Sequence, residues 1–145
     1  MKKKILILSP HADDEILGCG GFISKYSKLN YQINVLVLTN ANKGAPEIYP
    51  PETIKSLRNE AKTANNLIGT HKLIFENLPA INLNNYPVYK ISNIIDKYIA
   101  KINPEIVFIP SKNDIHDDHK IIFKAAKVSM RLLFFPVKFI WDMPV

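Results

Sequence analysis

Ile5-Leu6-Ile7-Leu8-Ser9-Pro10-His11-Ala12-Asp13-Asp14-Glu15 decides how the rest of the chain is read. Its apolar half is short, continuous and bounded by Pro10, which predicts a strand over residues 3–9 buried on both faces, as in a parallel sheet. From Asp14 onward Ile16-Leu17, Phe22-Ile23, Tyr26 and Leu29 recur at helical spacing, with Asn30 as the stop. Between strand and helix stand one imidazole and three carboxylates within five residues. Structural needs rarely call for that much ionisable chemistry at such a turn; a hard or borderline metal ion does.

The same grammar continues outward. Residues 33–39, nearly all apolar, predict a second strand, and residues 40–51, carrying Gly44, Pro46, Pro50 and Pro51, a long loop. A helix opens at Pro51-Glu52-Thr53 and stops at Gly69; a shorter strand is expected over 72–75 and a loop over 76–87. Ile91, Ile94-Ile95, Tyr98-Ile99 and Ile102 give a 3.6-residue period over 88–102, followed by a fourth strand over 106–110. A second ionisable cluster, His116-Asp117-Asp118-His119, then leads into a helix through Leu132-Leu133, and residues 137–141 predict a fifth strand. Alternating strands and helices imply an α/β fold, a Rossmann-like three-layer α/β/α sandwich on a mostly parallel sheet of about five strands. In the common 3-2-1-4-5 order strands one and four are neighbours at the switch point, where ligands bind beyond the strand ends. The two clusters should meet there.

Bulk properties bound the rest. The 145 residues predict one domain, with 47% hydrophobic and 22% charged residues in an ordinary globular balance. The net charge of +6 comes from scattered lysines, with only Lys2-Lys3-Lys4 in a run, so a solvated surface is expected rather than a nucleic-acid site. Cys19, the one cysteine, excludes an intrachain disulfide and reads as a small packing residue. Gly18, Gly20 and Gly21 are expected to allow close backbone approach. No apolar run nears the 18 or so residues of a membrane span, and the apolar run at the start is too short for a signal peptide, so a cytoplasmic protein is expected.

A catalytic zinc site needs about three N or O ligands and an open position for water. His11, Asp14 and one of His116 or His119 meet that need; three residues apart on a helix, both histidines share a face, and spacing does not choose. Asp13 is then left as general base for the water, and the remaining histidine for the oxyanion and the leaving amine. Asp117 or Asp118 can orient that histidine. Asp13, Asp14 and Glu15 also suit helix capping and dipole compensation, which suffices for Glu15.

The first cluster resembles the Pro-His-Pro-Asp-Asp-Glu motif of the PIG-L/LmbE-like zinc-dependent N-acetylglucosamine deacetylases, with Ala12 for the second proline, and His116 to His119 resembles that family's His-x-Asp-His motif. Arg58-Asn59-Glu60, with Ala61, Ala64, Leu67 and Gly69, is similar to its middle helix, and Thr39 and Gly44 sit where the family has its loop after strand two. The resemblance implies Zn2+ held by His11, Asp14 and His119, Asp13 as general base, His116 as oxyanion stabiliser, Asp118 orienting His116, and Arg58 as a substrate contact. Fe2+ or another divalent ion suits the same ligands.

The expectation is therefore a metal-dependent hydrolase that removes the N-acetyl group from a small-molecule amino-sugar conjugate through a zinc-bound water. The rival is a truncated, non-catalytic homologue that binds metal or sugar, since members of the family usually continue past the fifth strand. A dinucleotide-binding domain is disfavoured because the glycines at 18, 20 and 21 come too late for a Gly-x-Gly-x-x-Gly turn. Residues 1–145 are read as one deacetylase domain lacking the family's C-terminal portion. Leu132 to Phe135 and an uncovered strand over 137–145 would favour a homo-oligomer.

Overall fold

The computed structural model describes residues 2–131 and the backbone of 139–143. Strand β1 (Lys4–Ser9) leads into helix α1 (Asp14–Lys28), β2 (Gln32–Asn40), the short helix α2 (Ala41–Gly44), α3 (Pro51–Ile68) and β3 (Lys72–Pro79). A 3-10 turn at Leu83–Asn85, α4 (Val88–Ile102), β4 (Ile106–Pro110) and α5 (Asp117–Arg131) follow, and the backbone of Phe139–Met143 forms β5. Four strands with described side chains lie parallel in the order β3-β2-β1-β4, and the β5 backbone extends that sheet beside β4.

Continuous apolar strands follow from two cores rather than one. Leu6, Leu8, Leu36, Leu38, Val107 and Ile109 face α4 and α5, where Ile91, Ile95, Ile99 and Ile122 are buried against them. Their neighbours Ile5, Ile7, Ile33, Val35, Val37 and Phe108 face the other way, onto Cys19 and Ile23 of α1. The pleat sends alternate residues to opposite faces, and a helix layer waits on each. This is the expected α/β/α arrangement. Burial beside Glu15 pushes the Cys19 thiol up to about 12, in keeping with a packing residue.

Three local expectations change. β3 runs on through Glu76 and Asn77 to Pro79, pairing Leu78 with Thr39 and Pro79 with Asn40 after a register shift in β2. As the sheet's edge, β3 has one backbone side exposed and tolerates polar residues that read as loop. The loop after β2 contains α2, capped by the Asn40 side chain accepting from the Asn42 N–H at 3.0 Å. A Cβ on Gly20 would meet only Ile16 Cγ2 at 3.8 Å, and one on Gly21 nothing within 4 Å, so neither serves close approach. Gly44 does: a Cβ there would lie 1.8 Å from the Ala80 carbonyl oxygen. Leu132 to Phe135, Val137 and Lys138, on which the self-association expectation rests, lie outside the described residues. No helix among the described residues is long and apolar enough to cross a membrane.

Candidate active site

β1 and β4 pair directly, so the turn after each opens on the same edge of the sheet. The turn after β1 is fixed from inside. Thr39 Oγ1 donates to the Pro10 carbonyl at 2.7 Å, and the His11 N–H donates to Asp14 Oδ2 at 2.8 Å. Glu15 is fully buried beneath it, accepting from Asn65 Nδ2 at 2.7 Å. Ser9 Oγ lies 2.6 Å from the His11 carbonyl oxygen and 2.8 Å from Glu15 Oε2. A hydroxyl has one hydrogen and cannot serve both acceptors, so a protonated Glu15 completes the set by donating to Ser9. Burial raises the Glu15 pKa and outweighs the bonds from Asn65 and Ser9, which agrees. Glu15 therefore ties β1 to α3, a larger part than the dipole compensation expected of it.

His11, Asp14 and His119 converge on one point. His11 Nδ1 and His119 Nε2 are 3.2 Å apart, and Asp14 Oδ2 lies 3.3 Å from the first and 3.2 Å from the second. The far side of each ring is braced. Asp118 Oδ2 accepts from His11 Nε2 at 3.2 Å and Asp114 Oδ2 from His119 Nδ1 at 2.7 Å. Carboxylates only accept, so the outer nitrogens carry the protons and the inner ones present lone pairs when the rings are neutral. Burial disfavours a charged His11, but Asp118 and Asp14 overcome it and hold the ring up to about 9. Burial likewise opposes a charged His119, and Asp14 and Asp114 outweigh it. In return Asp14 is driven well below the usual carboxylate range despite its burial, chiefly by its bonds to His11 and His119.

The donor set fits a tetrahedral divalent ion. Ligands at about 2.0–2.1 Å around zinc stand roughly 3.3 Å from one another, which is the size of this triangle. His116 adds a third imidazole, and the three rings offer nitrogens within 4.8 Å of one another, also a group able to hold a metal. That grouping is the looser of the two.

The structure redirects one expected contact. The Asp118 side chain does not reach His116; it holds His11 and also accepts from the Ile81 N–H at 2.7 Å and the Leu83 N–H at 3.4 Å. The reason is helical geometry: Asp118 is buried in the first turn of α5, facing β1 and the Ile81 turn, while His116 precedes the helix and is exposed. What reaches His116 is the Asp118 backbone, whose N–H donates to His116 Nδ1 at 3.2 Å. That bond leaves the ring proton on Nε2. Asp114 is the residue the sequence reading missed. Its Oδ1 accepts from the His116 N–H at 2.8 Å while Oδ2 holds His119, and its place two residues before His116 was the available signal.

Asp13 occupies the N-cap position of α1, but its side chain makes no capping bond. It lines a cavity of about 420 Å³ with His11, His116, Tyr49, Glu60 and Ile81. Arg58 borders the adjoining recess with Thr39, Asn40 and Ala80. Its Nη2 donates to the Glu76 carbonyl at 2.7 Å and to Asn77 Oδ1 at 2.9 Å, and its guanidinium lies 4.8 Å from the Phe75 ring centroid. Arg58 is thus held by β3 rather than by a helix-surface carboxylate.

Residues 6–130 match the family described as PIG-L, GlcNAc-PI de-N-acetylase. Over 137 residues the chain is 26% identical to the uncharacterized deacetylase YaiS of Escherichia coli (strain K12), covering 91% of this chain and 70% of that protein. Over 132 residues it is 28% identical to a probable N-acetyl-alpha-D-glucosaminyl L-malate deacetylase 2 of Bacillus anthracis, covering 86% and 58%. Among solved structures it superposes on the N,N'-diacetylchitobiose deacetylase of Pyrococcus horikoshii with a TM-score of 0.78 at 25% identity, covering 92% of this chain and 52% of that one. The chain thus spans about half to about two-thirds of the length of these relatives. It belongs to the PIG-L deacetylase family.

Proposed function

We propose that this member of the PIG-L family is a zinc-dependent N-deacetylase of N-acetylglucosamine-type conjugates, with His11, Asp14 and His119 as metal ligands, Asp13 as general base and His116 as oxyanion donor. The observation that carries the reading is the triangle of 3.2 and 3.3 Å sides with a carboxylate behind each imidazole, opening beside a cavity that Asp13 and His116 line. An ion bound there would supply a Lewis acid that polarises the amide carbonyl and acidifies water. The substrate class follows the names of the Bacillus and Pyrococcus relatives, a probable N-acetyl-alpha-D-glucosaminyl L-malate deacetylase and an N,N'-diacetylchitobiose deacetylase.

Each residue then has a task. The Asp13 carboxylate takes a proton from the attacking water as the new C–O bond forms to the acetyl carbon. The His116 Nε2–H donates to the carbonyl oxygen as negative charge develops on it. The C–N bond breaks, and the proton on Asp13 passes to the leaving nitrogen, giving acetic acid and an amine, which leave as acetate and ammonium at neutral pH. Asp118 and Asp114 hold the two imidazoles, and through its backbone N–H Asp118 also sets the His116 tautomer. Arg58, anchored on β3 at the adjoining recess, would meet the outer part of the substrate.

The test is metal analysis of the protein beside His11→Ala and His119→Ala, with acetate release from N-acetylglucosamine conjugates measured in parallel. One divalent ion per chain in the parent and its loss from both variants is expected. A metal-free parent, or full loading of either variant, overturns the ligand set. Metal without acetate release would turn the reading toward the non-catalytic homologue.

A further inference from the structure

Ile81 is the one β-branched residue among the described residues with a positive φ, +58°. That backbone region is costly for a branched side chain and persists only where the surroundings impose it. Here they do. The Ile81 N–H donates to Asp118 Oδ2 at 2.7 Å and the Leu83 N–H to Asp118 Oδ1 at 3.4 Å. Ala80 donates to the Asn40 carbonyl at 3.3 Å, and its own carbonyl is packed where only a glycine at position 44 leaves room. The turn is clamped from both sides, yet the side chain it presents is 54% exposed, on the cavity that holds His11, Asp13 and His116. Strain that serves no core contact is held at the wall of the site.

Its position narrows what it touches. Asp118 Oδ2, the atom that accepts from Ile81, is the same atom that braces His11 Nε2. Ile81 is therefore anchored one acceptor away from a proposed metal ligand, beside the reacting end of the pocket. We infer that Ile81 is a specificity-determining residue, an apolar stop against which the acyl methyl of the substrate packs, so that it sets the preference for acetyl over longer acyl groups. The inference rests on the deacetylase reading above. It fits the other apolar lining there, Ala12, Ala41, Leu57 and Ala80.

The experiment compares the metal-loaded chain with Ile81→Gly and Ile81→Asn, both tolerant of positive φ, on the N-acetyl, N-propionyl and N-butyryl forms of glucosaminyl malate and of chitobiose. Acid release, metal content and thermal midpoint are read for each. One methylene misfit in an apolar pocket is worth roughly 10–200-fold. The parent is expected to prefer acetyl, and Ile81→Gly to raise the butyryl-to-acetyl ratio of kcat/KM about tenfold or more. Its midpoint should not fall, since the strained residue is replaced by one that suits the turn. Ile81→Asn, shorter and polar, should lose acetyl activity without a comparable fall in metal content. An active parent whose acyl ratio is unchanged in both variants overturns the inference alone. A parent that releases no acid from any of these substrates overturns the deacetylase reading, and this inference with it.

Discussion

The two turns that build the site differ in kind. After β1 the chain reaches α1 within four residues, and the turn is pinned by Ser9, Thr39 and the buried Glu15. After β4 it takes six residues to reach α5, through a loop whose Ile115 is 92% exposed. The short turn supplies two of the proposed ligands as part of the scaffold. The long one sends a single proposed ligand, His119, from inside the helix and needs Asp114 to hold loop and ring together. A rigid turn can be read as a motif; a loop has to be read as a network.

The largest effects should separate chemistry from scaffolding. Asp13→Asn is expected to lower kcat by about 10²–10⁴, and His116→Ala by about 10²–10³. Metal content, measured in the same samples, should stay near that of the parent in both. Loss of metal from Asp13→Asn would move that residue into the ligand set.

The braces should differ next. Asp114→Asn and Asp118→Asn are each expected to weaken metal binding about 10–100-fold, as outer partners of ligating histidines do. Asp118→Ala should in addition destabilise the metal-free protein by about 1–3 kcal/mol more than Asp114→Ala, because the Ile81 and Leu83 N–H groups lose their acceptor. Equal midpoints in denaturant would show that the Ile81 turn stands without Asp118.

Acid and base should then act on the metal-free site from opposite sides. His11 is held up to about 9, above its ordinary 6.5, so its contribution to stability is complete below about pH 6.5 and is lost as pH rises through 9. Asp14 is held below its ordinary 3.8, so its contribution is present above that value and lost on acidification. Thermal midpoints should therefore fall on both sides of a mildly acidic optimum without metal. With metal bound the alkaline fall should vanish, and protons should be released on binding at pH 7, seen as buffer-dependent heats in calorimetry.

The smallest effect belongs to the scaffold itself. Glu15→Gln should change stability by no more than about 0.5 kcal/mol, since an amide can donate to Ser9 and accept from Asn65 as a protonated carboxyl does. Glu15→Ala, which leaves both partners buried and unpaired, should cost several times more. If Glu15→Gln proves as damaging as Glu15→Ala, the buried carboxyl is charged after all.

How far the sequence spoke follows from what each element packs against. Residues 88–102 and 106–110 were legible to the residue, because a one-sided helix and a two-sided strand leave clean periods in the apolar residues. The outer half of β3 was not, because an edge strand has no such demand on Glu76 and Asn77. At the site, residue types and their order disclosed the candidate ligands. The hydrogen bond between His11 and Asp118, 107 positions apart, depends on which way the first turn of α5 faces, and no local pattern records that. Nor does a lone isoleucine between Ala80 and Asn82 announce a left-handed backbone; the glycine that normally marks one is absent.

The pairing of β1 with β4 has one more consequence, for folding. β2 and β3 lie between them in the chain but on the far side of β1 in the sheet, so this contact closes a long loop and is of the kind that forms slowly. The three proposed ligands cannot come together until it has formed. A cobalt-substituted refolding experiment would therefore use the metal's absorption as a clock for sheet completion, separate from the earlier gain of helix.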